Sequence, residues 1–514
     1  MAGEPRSPGP PPGSLFSCFT GEPQAHARLL RAAMNSPQDA SISPDTPRSH
    51  RIFAKLASLL SARWFMEILQ AFFFIYLARL STSTYGEFML AISLGSILRL
   101  IAEFGLNLPL VGLLSRRDGD QAAVLSQMLI LKAGLLSLAY LGAVGFVHWQ
   151  EYPSSLRNFA LIISLGMGLE ALTTTFFTAL QVEGRQPLEG KVRALAALVG
   201  YGYGFAALFW GASFLAVALF KPLETLVNLV GGAAGLGVKG WWRRPSLAGL
   251  GETLRRVFLF AVLEVTSILF NKANVFFLQS YGGSEGVAQY SATYQIVDGC
   301  SVIAANLILQ SIMFPLFVKF WEKDRQEVTR LARASARWLL GAAVLLMLIL
   351  AVESDRIIPL VYGPHFPDAI WLQHYLVITI LFSFLHNLAG FLLISMRLER
   401  FLVMVYLGAL AFNLLFCWQV IPKTPLWGAA LAIIFTKGGM ALVTFGFIHR
   451  RLRVFPWEDA LVLMLTALAS VSLYWGSLFI LRRGWALLAS VSALFGLLWY
   501  FWRIRGPLRK KPGS

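Results

Sequence analysis

From Leu56 onward the chain alternates between long apolar runs and short polar turns. The runs last about 18–25 residues, the length a helix needs to cross a bilayer. About 14 are present, over residues 56–79, 86–103, 122–147, 158–181, 193–211, 214–237, 257–280, 287–317, 338–358, 369–395, 402–420, 426–448, 459–480 and 485–502. A membrane barrel would instead show short segments of alternating polarity, and this sequence has none. The pattern predicts an all-α polytopic membrane protein with about 14 transmembrane helices.

The repeating unit is clearest between Phe72 and Asp118, where two apolar runs join across the polar turn Ser81 to Tyr85. That spacing predicts a transmembrane hairpin, with a helix interrupted near Phe104 and Gly105 and a basic exit at Arg116 and Arg117. A weak internal repeat follows. LARLSTSTYGEF, after the first run, is echoed by LQSYGGSEGVAQY after the seventh, and LQVEGR after the fourth by MRLER after the tenth. The offset is about 200–216 residues, or six spans, so the halves would share orientation about a pseudo-twofold along the membrane normal. The expected organisation is a disordered tail over 1–50, six-helix bundles over 51–237 and 257–449, a cytoplasmic linker over 238–256, and two extra helices with a basic tail over 450–514. The longest internal loops, 238–256 and 318–337, are too short to fold alone. LAGLGETLRRVF in the first reads as an amphipathic segment on the membrane surface.

Composition agrees: 56% of the 514 residues are hydrophobic and mean hydropathy is +0.63, above the soluble range. The net charge of +17 would suggest nucleic acid in a soluble protein. Here the basic residues cluster in alternate loops, including Arg185, Lys191 and Arg193, Lys239 with Arg243 and Arg244, Lys319 to Arg337, Arg450 to Arg453, and Arg505 to Lys511. That is the positive-inside pattern with both termini cytoplasmic. Arg482 and Arg483 are the external pair that breaks it. No basic stretch has the aromatic interleaving of a nucleic-acid-binding domain, so no nucleic-acid partner is expected. The three cysteines, Cys18, Cys300 and Cys417, lie far apart, and the histidines show no ligand spacing, so neither a metal nor another cofactor is expected.

Chemistry resides in charges placed within oil. Arg63, Arg99, Lys132, Lys221, Lys272 and Lys437 fall inside apolar runs, as do Glu67, Glu103, Glu170, Glu224, Glu264 and Asp298. A central charge costs at least ~2.5–3.5 kcal/mol on insertion scales, so each should face a partner or an aqueous cavity. Spacing pairs Arg63 with Glu67, Arg99 with Glu103, and Lys221 with Glu224. Arg63, near a run's start, is equally placed to snorkel to the headgroups. Lys132 and Lys437 have no acid within a turn and are the better candidates for a substrate anion. On a helical wheel Glu264 and Asn271 share a face flanked by Lys272 and Asn274, and Ser291, Gln295 and Asp298 share another. Those two faces would make a wet central wall, or else polar contacts holding helices together.

The stretch YLARLSTSTYGEFMLAISLGSILRLIAEFGLNLPLVGLLSR, with its Glu103-Phe104-Gly105-Leu106 element, resembles the opening hairpin of the polysaccharide transporter (O-antigen flippase) family of the multidrug/oligosaccharidyl-lipid/polysaccharide exporter superfamily. NVFFLQSYGGSEGVAQYSATYQIVD, VYGPHFPDAIWLQ and FNLLF…PLWGAALAIIFTKGG are similar to further turns of that family. The resemblance covers about 56–450, and the last two spans match only by position. It implies two six-helix bundles forming a V, and a cavity that alternates access and flips an undecaprenyl-diphosphate-linked oligosaccharide. Arg99, Lys132, Lys272 and Lys437 would greet the diphosphate or acidic sugars. This chain departs from a strongly cationic lumen, since its intramembrane acids are as many as its bases, and Glu264, Asp298 or Glu170 would then serve ion coupling.

The functional expectation is a flippase for a lipid-linked surface-polysaccharide unit in the bacterial inner membrane, with membrane lipids and polysaccharide polymerase machinery as partners. An ion-coupled multidrug or cation antiporter of the same superfamily is the alternative. A polysaccharide polymerase or ligase would need a substantial external loop with catalytic residues, and the longest here, 352–368, is small.

Overall fold

The computed structural model describes residues 65–115, 120–237, 250–304, 309–310 and 312–504, and among them there is no strand. Helix α1 covers 65–80. Ser81 then breaks the chain with extended backbone, and its hydroxyl accepts from the Thr84 amide to cap α2, Thr82–Glu103. Phe104 and Gly105, with φ of 41° and 64°, end α2. This is the expected interruption, and α3 (Asn107–Leu114) resumes beyond it. Next come α4 (Gln121–Trp149), α5 (Ser154–Val182), α6 (Gln186–Phe209), α7 (Phe214–Ala218) and α8 (Phe220–Leu236).

Helix α9 (Leu250–Ala304) is two arms joined at Gly283, where φ is 65° and ψ −176°. The Tyr294 hydroxyl donates to Asn271 Oδ1 at 2.8 Å, and Asn274 donates to the Tyr290 hydroxyl. Residues 23 and 16 apart in a straight helix could not touch, so the arms run antiparallel as a hairpin. The residue at its tip must adopt positive φ, which glycine does freely. Beyond it lie α10 (Phe314–Trp321), α11 (Arg325–Val352), α12 (Ser354–Tyr362), α13 (Pro367–Leu376), α14 (Ile378–Ser395), α15 (Glu399–Val420), α16 (Pro425–Leu452), α17 (Trp457–Ser477) and α18 (Arg483–Ile504).

Eleven helical stretches among the described residues are long and apolar enough to cross a membrane. The difference from the sequence count has three sources. The start of α1 lies outside the described residues, the arms of α9 form one stretch, and the side chains at the end of α18 lie outside the described residues. Two loops are also shorter than expected. Asp324 caps α11 by accepting from the amides of Gln326 and Glu327, so helix replaces most of the basic loop 318–337. From Leu250 the expected surface segment is the start of α9, with Leu254 and Val257 packed against Leu106, Leu110 and Phe104. The tail over 1–50 and the remainder of the linker lie outside the described residues.

Helix α2 is central: it packs on α5, α4 and the α9 hairpin. One hydrophobic core runs from Phe73, Phe88, Phe159 and Phe220 through Tyr290 to Phe384, Ala389 and Ile433. The tightest seam joins the tips of the two opening hairpins. A β-carbon on Gly86 would overlap the Ser284 carbonyl, Tyr85 lies against Tyr362 and Phe366, and Arg79 donates to the Val361 carbonyl at 3.1 Å.

Helices α17 and α18 pack on each other and on α11. Two ionic ties hold them. Arg337 on α11 donates two hydrogen bonds to Asp459 on α17, at 2.8 and 3.2 Å, within a buried contact. Arg483, opening α18, bonds Glu353 at 3.1 Å and both oxygens of Asp355. In the second tie Arg483, one of the two bases expected to break the charge rule, is met by two carboxylates.

Candidate functional site between the hairpins

Helices α2, α5 and α8 carry a connected chain of charges. Arg99 reaches Glu103 one turn along at 3.2 Å and Glu170 on α5 at 2.8 Å. The other oxygen of Glu170 meets Lys221 on α8, which in turn bonds Glu224 at 2.8 Å. Two of the local pairs expected from spacing, Arg99 with Glu103 and Lys221 with Glu224, are therefore present, and Glu170 joins them into one network. Burial makes this necessary: an unpaired carboxylate or ammonium in a low-dielectric interior costs far more than a paired one.

Lys132 on α4 sits beside this network, fully buried. Its ammonium donates to Asn107 Oδ1 at 2.5 Å, to the Ala171 carbonyl at 3.0 Å and to Thr174 Oγ1 at 3.4 Å. Among the described residues it has no bonded carboxylate, as the spacing indicated, yet it occupies a closed polar socket rather than an aqueous cavity. The kink at Phe104 and Gly105 makes this socket, since it starts α3 where Asn107 can reach α4.

The second cluster lies on α9 and α16. Lys437 bonds Asp298 at 2.7 Å, an acid that comes from another helix, 139 residues away. The Tyr294 ring lies under the ammonium at 5.0 Å, and its hydroxyl is 3.3 Å from Asp298. Tyr290 and Tyr294 stack at 5.5 Å. Lys272, on the first arm of α9, lies within electrostatic reach of both Asp298 and Lys437. His386, which sequence reasoning passed over, is buried on α14 within hydrogen-bond distance of Thr444 (3.1 Å) and Tyr406 (2.9 Å), and it too feels Lys437. A histidine within ILFSFLHNLAG shows no spacing signal; only its polarity in an apolar run could have drawn notice.

Asn271 and Asn274 of the first predicted face bond Tyr294 and Tyr290 on the second arm, whereas Gln295 of the second predicted face reaches Met89 on α2. That wall is only partly wet. Ser291 and Asn274 are buried, whereas Glu264 and Gln295 are exposed. Glu264 faces Arg99 and Glu103 across the seam between the hairpins and makes no ion pair among the described residues. Arg99 retains 40% side-chain exposure and Asp298 32%, so charged groups of both clusters reach open space. Lys132 and Lys221, by contrast, are closed off. Arg63 lies outside the described residues.

Residues 52–321 match the family model described as polysaccharide biosynthesis protein. No curated protein sequence matches. Among solved structures, the lipid II flippase MurJ in an inward closed conformation superposes with a TM-score of 0.68 at 14% identity, over 87% of this chain and 99% of MurJ. An inward-facing multidrug resistance transporter of the MATE family, in the MOP superfamily, gives 0.57 at 15% identity, over 76% and 94%. A MOP superfamily transporter from Pyrococcus furiosus, described by a binding pocket of reverse polarity, gives 0.52 at 13% identity, over 86% and 98%. With more than half of its length matched by the family model, the chain belongs to the polysaccharide biosynthesis protein family, and its helices are arranged as in these transporters.

Proposed function

We propose that this protein flips a lipid-linked oligosaccharide or polysaccharide unit across the bacterial cytoplasmic membrane by alternating access, with both termini cytoplasmic. The carrying observation is that Arg99, Glu264 and Asp298 present charge to open space at the seam between two hairpin-led sets of helices. Membership in a polysaccharide biosynthesis family and a fold shared with a lipid II flippase support a lipid-linked cargo. An undecaprenyl-diphosphate-linked glycan fits this chemistry.

In this reading Arg99 and Lys437 are the anion-binding groups, each held ready by a carboxylate that the cargo's diphosphate replaces. Glu170 keeps Lys221 in place behind Arg99, and Lys132 holds the α3–α4 corner rigid. Lys272 adds positive field beside Asp298. Glu264 and Asp298 are the groups placed to exchange a coupling ion. The tight contact of Gly86 with Ser284 closes one end of the seam, and rocking about it would open the other.

The exposed, unpaired Glu264 also favours a second reading, a cation or drug antiporter of the same superfamily. A deletion strain separates the two. Lipid-linked glycan accumulating on the cytoplasmic face, restored by wild type and not by Arg99→Gln, supports the flippase. Unchanged glycan export together with increased sensitivity to cationic drugs overturns it.

A further inference from the structure

A second charged site lies away from the seam, where α16 turns into α17. A cleft of about 340 Å³ there is lined by Arg333, His449, Arg450, Arg453, Pro456 and Trp457, none of them acidic. Arg333 comes from α11 and donates to the Arg453 carbonyl at 3.1 Å, fixing the corner. Arg453 ends α16 in the left-handed region, with φ of 47°. Among the described residues no carboxylate pairs with Arg333, Arg450 or Arg453. The nearby acid Asp459 is taken by Arg337, one helical turn from Arg333. The Arg333 Nε is buried without a hydrogen-bond partner, a polar atom left unsatisfied where native proteins rarely leave one.

From this cleft an apolar stripe runs along α17. Trp457, Met464, Leu468 and Trp475 fall within an arc of about 40° at 100° per residue, and all are exposed. The stripe is about 27 Å long at 1.5 Å per residue, close to the hydrocarbon thickness of a bilayer. A tryptophan stands at each end, where indoles settle at the membrane interface.

We propose that this corner is a binding site for an anionic glycerophospholipid, its phosphate held by Arg333, Arg450 and Arg453 and its acyl chain lying along the α17 stripe. Charge complementarity selects an anionic headgroup, and the apolar stripe continuing from the cleft selects a bilayer lipid over a soluble phosphate. The site is independent of the cargo pathway, so it stands or falls separately from the flippase reading.

The test is native mass spectrometry of the full-length protein released from nanodiscs of phosphatidylglycerol mixed with phosphatidylcholine. Wild type should retain phosphatidylglycerol selectively. Arg450→Gln, a change at an exposed side chain, should weaken retention about fivefold, and the triple Arg333→Gln/Arg450→Gln/Arg453→Gln variant should abolish selectivity, each guanidinium contributing about fivefold. Thermal midpoints of the variants establish that they are folded. Equal retention of both lipids by wild type, or undiminished phosphatidylglycerol on a folded Arg450→Gln protein, overturns the proposal. So does displacement of the lipid by millimolar glycerol phosphate, which would show that the acyl chain adds nothing.

Discussion

Glu170 accepts a 2.8 Å bond from Arg99 with one carboxylate oxygen and leaves the other for Lys221, so a single acid on α5 holds bases from two neighbouring helices. Removing its charge strands both. Glu170→Gln should lower stability by about 3–5 kcal/mol, the usual cost of breaking a buried pair from one side. Thermal unfolding in detergent checks this, and Glu170→Asp should recover only part of the loss.

Lys437 and Asp298 offer a way to separate stability from transport. Lys437→Gln and Asp298→Asn should each destabilise the protein, because each leaves the other charge unpaired. The double Lys437→Met/Asp298→Leu variant should regain most of that stability, since packed apolar groups often replace a buried pair at little cost. If the pair serves the cargo, flipping by the double variant in proteoliposomes stays lost. Recovery of both properties would make the pair purely structural.

The seam gives a conformational prediction. Gly86→Ala places a methyl group into the Ser284 carbonyl and should cost about 1–3 kcal/mol in the state shown here. That cost favours separation of the hairpin tips. A cysteine introduced at Glu285 should react several-fold faster with a membrane-impermeant maleimide in the Gly86→Ala background.

The tie between Arg483 and Asp355 sets a pH dependence. Its hydrogen bonds from Arg483 hold the Asp355 carboxyl below the usual aspartate range. A depressed carboxylate stabilises the fold above its unfolded pKa, and the contribution disappears as pH falls through the folded value. Wild type should therefore melt above Asp355→Asn at pH 7, and the gap should narrow as pH falls below the usual aspartate range.

What could be read from the chain was local. Arg99 with Glu103 and Lys221 with Glu224 lie a helical turn apart, so periodicity reveals them. The partners that complete each cluster, Glu170 for Arg99 and Asp298 for Lys437, are 71 and 139 residues away, and their pairing depends on how helices cross. Lys132 was legible as a cation without a neighbouring acid, yet its ligands are an amide oxygen, a carbonyl and a hydroxyl, which leave no charge pattern. The apolar runs located nearly every helix because lipid imposes their length. They did not locate helix ends such as Arg325, where a capping aspartate extends the helix through a basic stretch.

The chain of Glu103, Arg99, Glu170, Lys221 and Glu224 has a further consequence for energetics. Its three acids are balanced by Arg99, Lys221 and the neighbouring Lys132, so rocking these helices together carries little net charge through the transmembrane field. A lone charge crossing it would gain or lose about 2.3 kcal/mol per 100 mV. Sensitivity to voltage must then come from what is carried, so currents or potential-driven rates should follow the ionisation of the cargo and its coupling ion.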